Sequence, residues 1–400
     1  MATSKKLTVV RSFRWCQNRT MNLPVVRRPL WDTESASGRV TPVELFFDLV
    51  FVFVVTQVTH VVEAHPGWEG LLRGLLPMVV VWWMFSAFGW LTNAVRPDSV
   101  PVRLLLMLAM IAFFIIGLDV PYAFDPQGFA FPLAYLAVVV IHCLLYLTAS
   151  APSSRRAILR NMPFNGAGGL LVLVAPYLPE VGGWFCWVAA VLVLYLSPLL
   201  GRIRGFVIEP HHFVERHALL LLIVVGESVV AIGIGAESSE PRAVDAALAF
   251  GVALGIAVAS GLWWVYFDDD EVRAAAAFEQ ATEHRRQMLA YYAFTGAHLV
   301  MIIGVILIAA GITDAIHHLG GQVNRWWLGC GTAVFLAAHA AYRAMLHSGR
   351  IRDRVIGAVC AVPLAVAASF AGWAAMTAIV LVLAVIATID HLLAPQPADA

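Results

Sequence analysis

Residues 43–60 read VELFFDLVFVFVVTQVTH, an apolar run long enough to cross a bilayer that carries Glu44 and Asp48 at its head and Gln57 and His60 toward its tail. A carboxylate at the centre of a membrane helix costs about 2.5–3.5 kcal/mol on insertion scales, so one that persists faces protein, water or a cation. The stretch therefore predicts a membrane-spanning helix with one polar face, and with it a helical membrane protein that holds a polar site.

The rest of the chain agrees with that class. Of its 400 residues, 60% are hydrophobic and 13% charged, whereas a soluble domain is about half apolar and a quarter charged. Lysine plus arginine equals aspartate plus glutamate at 26 each, so the balance gives no reason to expect nucleic acid as a partner. Cys16, Cys143, Cys186, Cys330 and Cys360 are scattered without a CxxC pair, which suits small core residues rather than a disulfide framework or a zinc site. Residues 1–42 are expected to be a disordered basic arm at a membrane surface, with no apolar core of signal-peptide length, and Met21 is an alternative start.

Bounding each apolar run by its Pro, Gly and charged punctuation predicts an all-α polytopic bundle of about twelve spans. They cover 43–64, 71–92, 102–120, 129–149, 164–179, 182–200, 211–236, 243–267, 287–312, 326–347, 355–371 and 373–392. The short fifth and eleventh, 164–179 and 355–371, leave ten if neither crosses. Arginines gather in alternate loops, at Arg96 and Arg103, at Arg155, Arg156 and Arg160, at Arg202 and Arg204, at Arg285 and Arg286, and at Arg350, Arg352 and Arg354. Only Arg73, Arg242 and Arg325 fall on the other side, so both termini are expected in the cytoplasm, with the chain in the bacterial inner membrane.

The same division exposes a repeat between residues 43–210 and 211–392, with 393–400 a short tail. Val43–Glu44 opens the first span as Val214–Glu215 opens the seventh; Trp82 and Trp83 match Trp263 and Trp264; His142 and Tyr146 echo His339 and Tyr342. GGWFCWVAAVLVLYL from Gly182 answers AGWAAMTAIVLVLAV from Ala371. Six spans per half is an even number, which predicts halves related by an axis along the membrane normal.

Glu44 and Asp48, four residues apart, share one helical face, where they suit a cation or proton site; Glu44 also suits a helix cap after Thr41 and Pro42. In HHFVERHALLLLIVVGESVVAIGIG, residues 211–235, Glu227 lies about 18 Å beyond Glu215, near mid-membrane. His298 is expected at comparable depth and is the first partner to name for Glu227. His60, His142 and His339 are intramembrane histidines, each of which suits an interhelical donor as well as a ligand. LWWVYFDDDEVR ends the eighth span; the run Asp269 to Glu271 suits a solvated helix end, and Asp268, next to Tyr266 and Phe267, is the better candidate.

Taken in order, VELFFDLVFVF…QVTH, ERHALLLLIVVGES, LWWVYFD and YYAFTGAHLVMIIGVILIAAGI resemble the bacterial low-temperature-requirement A (LtrA) family over about Val43 to Gly311. The resemblance implies a polytopic bacterial membrane protein whose polar signature falls on Glu44, Asp48, His60, Glu215, Arg216, Glu227, Asp268 and His298. It brings no settled activity.

Two functions compete, with a non-catalytic membrane sensor as a third. One is an ion- or proton-coupled secondary transporter for a small molecule or lipid, supported by two six-span halves, midplane Glu227 and the absence of a Walker sequence. No motif requires a cofactor. The other is a membrane-embedded enzyme acting on a lipid or isoprenyl diphosphate, with Mg²⁺ held by Asp48, Glu215 and Asp268.

Overall fold

A computed structural model describes residues 40–95, 97, 99–149, 152–201, 206, 208–237, 243–268 and 270–393. Residues 1–39 of the basic arm with Met21, then Arg96, Arg202, Arg204, Arg242 and Asp269, and residues 394–400 of the C-terminal tail lie outside the described residues. Among the described residues every regular element is a helix, as a bilayer demands of any chain that must satisfy its backbone without water.

The first half comprises α1 (Pro42–Ala64), α2 (Trp68–Ala94), α3 (Val100–Asp119), α4 (Ala130–Ala149), α5 (Pro152–Val174) and α6 (Glu180–Gly201). The second comprises α7 (Pro210–Ala236), α8 (Ala246–Phe267), α9 (Asp270–Gln280), α10 (Glu283–Leu289), a π-helical turn (Ala290–Ala297), α11 (His298–His317), α12 (Trp327–Leu346), α13 (Arg352–Ala368) and α14 (Gly372–Leu392). Local signals start several of them. Pro42 occupies the first turn of α1, the Ser99 hydroxyl caps α3, and the Asp245 carboxylate caps α8.

Among the described residues ten helical stretches are long and apolar enough to cross a membrane, and the chain is a multi-pass membrane protein. The fifth expected span is among the ten and its helix starts earlier than expected, because the polar residues from Pro152 onward continue the helix into the apolar run rather than forming a loop. The eleventh, α13, is a helix of 17 residues that opens on Arg352, Asp353 and Arg354, and α12 is made less apolar by His339 and Arg343. Neither is among the ten.

Neighbours repeat between the halves. In the first, α1 packs on α2 and α3, α3 on α4, α4 on α5, α5 on α6, and α6 returns to α2. In the second, α7 packs on α8 and α11, α11 on α12, α12 on α13, α13 on α14, and α14 returns to α8. Environments do not repeat so closely: Trp82 and Trp83 are buried, whereas Trp263 and Trp264 are exposed on the outer surface.

The halves meet where α1 lies against α7 and α11. α11 is buried on nearly every side, which an all-round apolar sequence permits. Close approach to α12 depends on Gly304 and Gly331: a Cβ on Gly304 would stand 2.7 Å from the Phe335 nitrogen and 2.9 Å from the Gly331 oxygen. Phe46, Leu108, Ile111 and Phe185 are exposed on the outside, the surface lipid would cover.

Candidate functional site

α1 and α7 run side by side in matching register. Thr56 and Glu227 are bonded and stand 171 residues apart, the spacing that also separates Glu44 from Glu215. Their first turns build the main polar cluster. Glu44 Oε2 accepts the Thr41 backbone N–H and hydroxyl, both at 2.9 Å, so the capping role expected for it is realised. The same carboxylate also reaches across to α7: its Oε1 accepts from Arg216 Nη1 at 2.9 Å and it meets His212 Nε2 at 3.2 Å.

Arg216 is the hub. Its second terminal nitrogen donates to Asp48 Oδ1 at 3.2 Å, the first also meets the Thr92 hydroxyl on α2, and the guanidinium lies 6.0 Å from the Phe47 ring centre. Glu44, Asp48 and Arg216 are 1%, 0% and 3% exposed. Asn93 Nδ2 donates to His212 Nδ1 at 3.2 Å, which leaves the His212 Nε2–H to face Glu44. Two carboxylates thus share one permanent cation, and Asp48 Oδ2 has no partner among the described residues. With one arginine for two acids, the cluster is balanced only when a proton, a cation or a charged His212 joins it.

Eight residues along α1 from Asp48, about 12 Å at the helical rise, Thr56 donates to Glu227 Oε2 at 2.6 Å. Glu227 is buried at 1% exposure. The expected Glu227 and His298 pair does not form. His217 on α7 lies beside His298, ring centres 5.4 Å apart, so Glu227, ten residues further along α7, stands about 15 Å beyond that level. His298 instead donates from Nδ1 to the Ala293 carbonyl at 3.0 Å and accepts the Tyr266 hydroxyl on Nε2 at 3.0 Å. Its depth is set by the π turn ahead of α11, which counting from the start of an apolar run does not show.

His60, one turn beyond Thr56, is half-buried, and Glu215 accepts the Val40 backbone N–H at 3.1 Å. Asp268 is exposed at the end of α8. Asp48, Glu215 and Asp268 do not converge, and among the described residues no three His, Cys, Asp or Glu side chains gather in a way that could hold a metal ion.

Sequence reasoning missed a second buried network. Asp270, fully buried two residues after Asp268, accepts from His339 Nε2 at 2.6 Å and from Arg343 Nε at 2.8 Å. Asp390 on α14 accepts from Arg354 Nη1 at 2.7 Å and lies 3.6 Å from Arg343. The signal was present: His339 and Arg343 are one turn apart on α12, as are Tyr266 and Asp270 across the α8–α9 junction.

With the geometry in place, comparison with known proteins is decisive for kinship. The family model described as bacterial low temperature requirement A protein (LtrA) matches residues 39–388. The chain belongs to the LtrA family. An uncharacterized protein of Rhizobium meliloti (strain 1021) is 30% identical over 295 residues, which is 69% of this chain and 69% of that protein. No solved structure gives a significant match. The LtrA match spans both halves, so the Glu44–Asp48–Arg216 cluster and the Asp270–His339–Arg343 contacts lie within the family region, and Asp390 stands two residues beyond it.

Proposed function

We propose that this LtrA protein is a proton- or cation-coupled secondary transporter of the bacterial inner membrane. Its α1 amino terminus would face the cytoplasm, as the arginine distribution indicates. The observation that carries the reading is the unequal charge at the meeting of the halves, where Glu44 and Asp48 share Arg216 and one Asp48 oxygen lacks a partner. A group that gains and loses a proton or cation there changes the attraction between α1 and α7. Those helices tie two similarly packed halves together, and rocking of such halves is how repeat-built transporters alternate their openings. Glu227 and Thr56 supply a second carboxylate on the same helix pair. A duplication is supported by the shared neighbour order and by the matching register of α1 and α7. Nothing in the geometry favours the Mg²⁺-dependent enzyme, since its three acids stand apart.

Inverted vesicles that carry the protein and a respiration-driven pH gradient, read with a pH dye, test the proposal. Addition of cations or small metabolites from a panel is expected to collapse the gradient for at least one compound. Asp48→Asn and Glu227→Gln, both present at normal levels in the membrane, are expected to abolish that response. A wild-type response from both variants refutes the coupling role.

A further inference from the structure

Near the end of α2, Asn93 holds the start of α7 by its backbone. Its Oδ1 accepts the Glu209 N–H at 2.6 Å and its Nδ2 donates to the Glu209 carbonyl at 3.1 Å. Glu209 in turn caps α7, where its carboxylate accepts the His211 and His212 N–H groups at 3.3 and 2.5 Å.

Those two backbone bonds fix which way the Asn93 amide points. Turned over, its nitrogen would face an N–H and its oxygen a carbonyl, so the backbone sets the orientation independently of the histidine. The nitrogen that donates to Glu209 also stands 3.2 Å from His212 Nδ1. An amide nitrogen only donates, so His212 Nδ1 accepts and carries no proton. The ring is therefore neutral in this arrangement, with its N–H on Nε2, 3.2 Å from the Glu44 carboxylate. A charged ring would set two N–H donors against each other at Asn93 and lose a hydrogen bond.

His212 is also where the cluster reaches the surface. Its side chain is 13% exposed, against 1% for Glu44, 3% for Arg216 and 0% for Asp48. Around it stand Glu44 on α1, and Glu209, Glu215 and Arg216 at the head of its own helix. Glu279 of α9 is taken up by His211 at 2.7 Å, His298 of α11 lies further in behind His217, and α2 brings the uncharged Thr92 and Asn93.

We propose that His212 is the group through which protons pass between water and the Glu44–Asp48 pair, and that Asn93 is a latch that forbids the passage while α2 and α7 are together. In the transfer, Nδ1 takes a proton from hydronium as the Nε2–H bond breaks and its proton passes to a Glu44 oxygen, which leaves a neutral ring protonated on Nδ1. Asn93 occupies Nδ1, so the transfer waits until the end of α2 withdraws from the head of α7. α2 belongs to the first half and α7 to the second, which ties proton exchange to the relative position of the halves. The inference rests on the transport reading, to which it adds the coupling ion, a proton, and the control of its entry.

Solid-state NMR of protein carrying isotope-labelled histidine in lipid, with His212 assigned from the signals lost in His212→Gln, is expected to show a bare Nδ1 and a protonated Nε2 at neutral pH. Asn93→Asp, which turns the donor into an acceptor, and Asn93→Ala, which removes it, are expected to carry a proton on Nδ1 in the same buffer. In the vesicle assay, His212→Ala is expected to slow the coupled response at least about tenfold, and added imidazole to restore it, which a purely structural histidine would not allow. A wild-type Nδ1 that carries a proton, or one that stays bare in both Asn93 variants, overturns the latch. A His212→Ala response as fast as wild type, or one that imidazole leaves slow, overturns the entry role, while loss of the response in Asp48→Asn keeps the transport reading standing. If Asp48→Asn and Glu227→Gln both respond as wild type does, or no compound produces a response, the transport reading falls and takes the entry role with it.

Discussion

Replacing Arg216 with glutamine is the sharpest test of the cluster between the halves. Its guanidinium stands 2.9 Å from Glu44 and 3.2 Å from Asp48, and all three side chains are at most 3% exposed. Removal of one partner from a buried ion pair costs about 3–5 kcal/mol, because the remaining charge has neither water nor a counter-ion. The Thr92 hydroxyl also loses its contact, which adds roughly 1 kcal/mol. Against a total stability of about 5–15 kcal/mol, the single variant is expected to unfold at a much lower denaturant concentration in detergent. The triple variant Glu44→Gln, Asp48→Asn, Arg216→Gln carries no buried charge at these positions and is expected to recover most of the loss. Equilibrium unfolding followed by tryptophan fluorescence and by helical circular dichroism reads both. An Arg216→Gln loss below about 1 kcal/mol, the size of an exposed pair, would refute the reasoning, as would a triple variant no more stable than the single one.

Further expectations concern the second half. Gly304→Ala places a methyl group 2.7 Å from the Phe335 backbone nitrogen, so α11 and α12 must separate; the same unfolding measurement should show a loss of about 1–3 kcal/mol, and a neutral result would contradict the close approach. Asp270→Asn and His339→Ala, singly and together, should show a coupling of about 1–3 kcal/mol in a double-mutant cycle, whereas strictly additive losses would mean that the 2.6 Å contact contributes nothing.

Asp268 and Asp270 show where a one-dimensional reading stops. Two residues on a helix are about 200° apart, so one acid of the DDDE run can face water while the other is enclosed; nearness to the apolar stretch favoured Asp268, and the structure buries Asp270. The choice depends on α9 starting afresh at Asp270 and packing against α12, which no spacing rule encodes. Depth fails similarly for Glu227 and His298, because axial position depends on the π turn and on how α11 docks beside α7. The all-helical architecture was legible because a bilayer imposes length and apolarity on each helix separately. Glu44, Asp48 and Arg216 were legible as polar anomalies, but their mutual contact was not, since it arises only when α1 and α7 lie in register.

The arginine that balances Glu44 sits 172 residues further along the chain. A stepwise change in the gene that neutralises Arg216 leaves a bare acid pair inside the membrane, and one that neutralises both acids leaves a bare arginine. Either intermediate is weaker than its parent or its fully neutral descendant. The three positions are therefore expected to drift through heredity as a set. A related chain that keeps both acids but lacks the arginine must carry a replacement cation within reach of the same two helices.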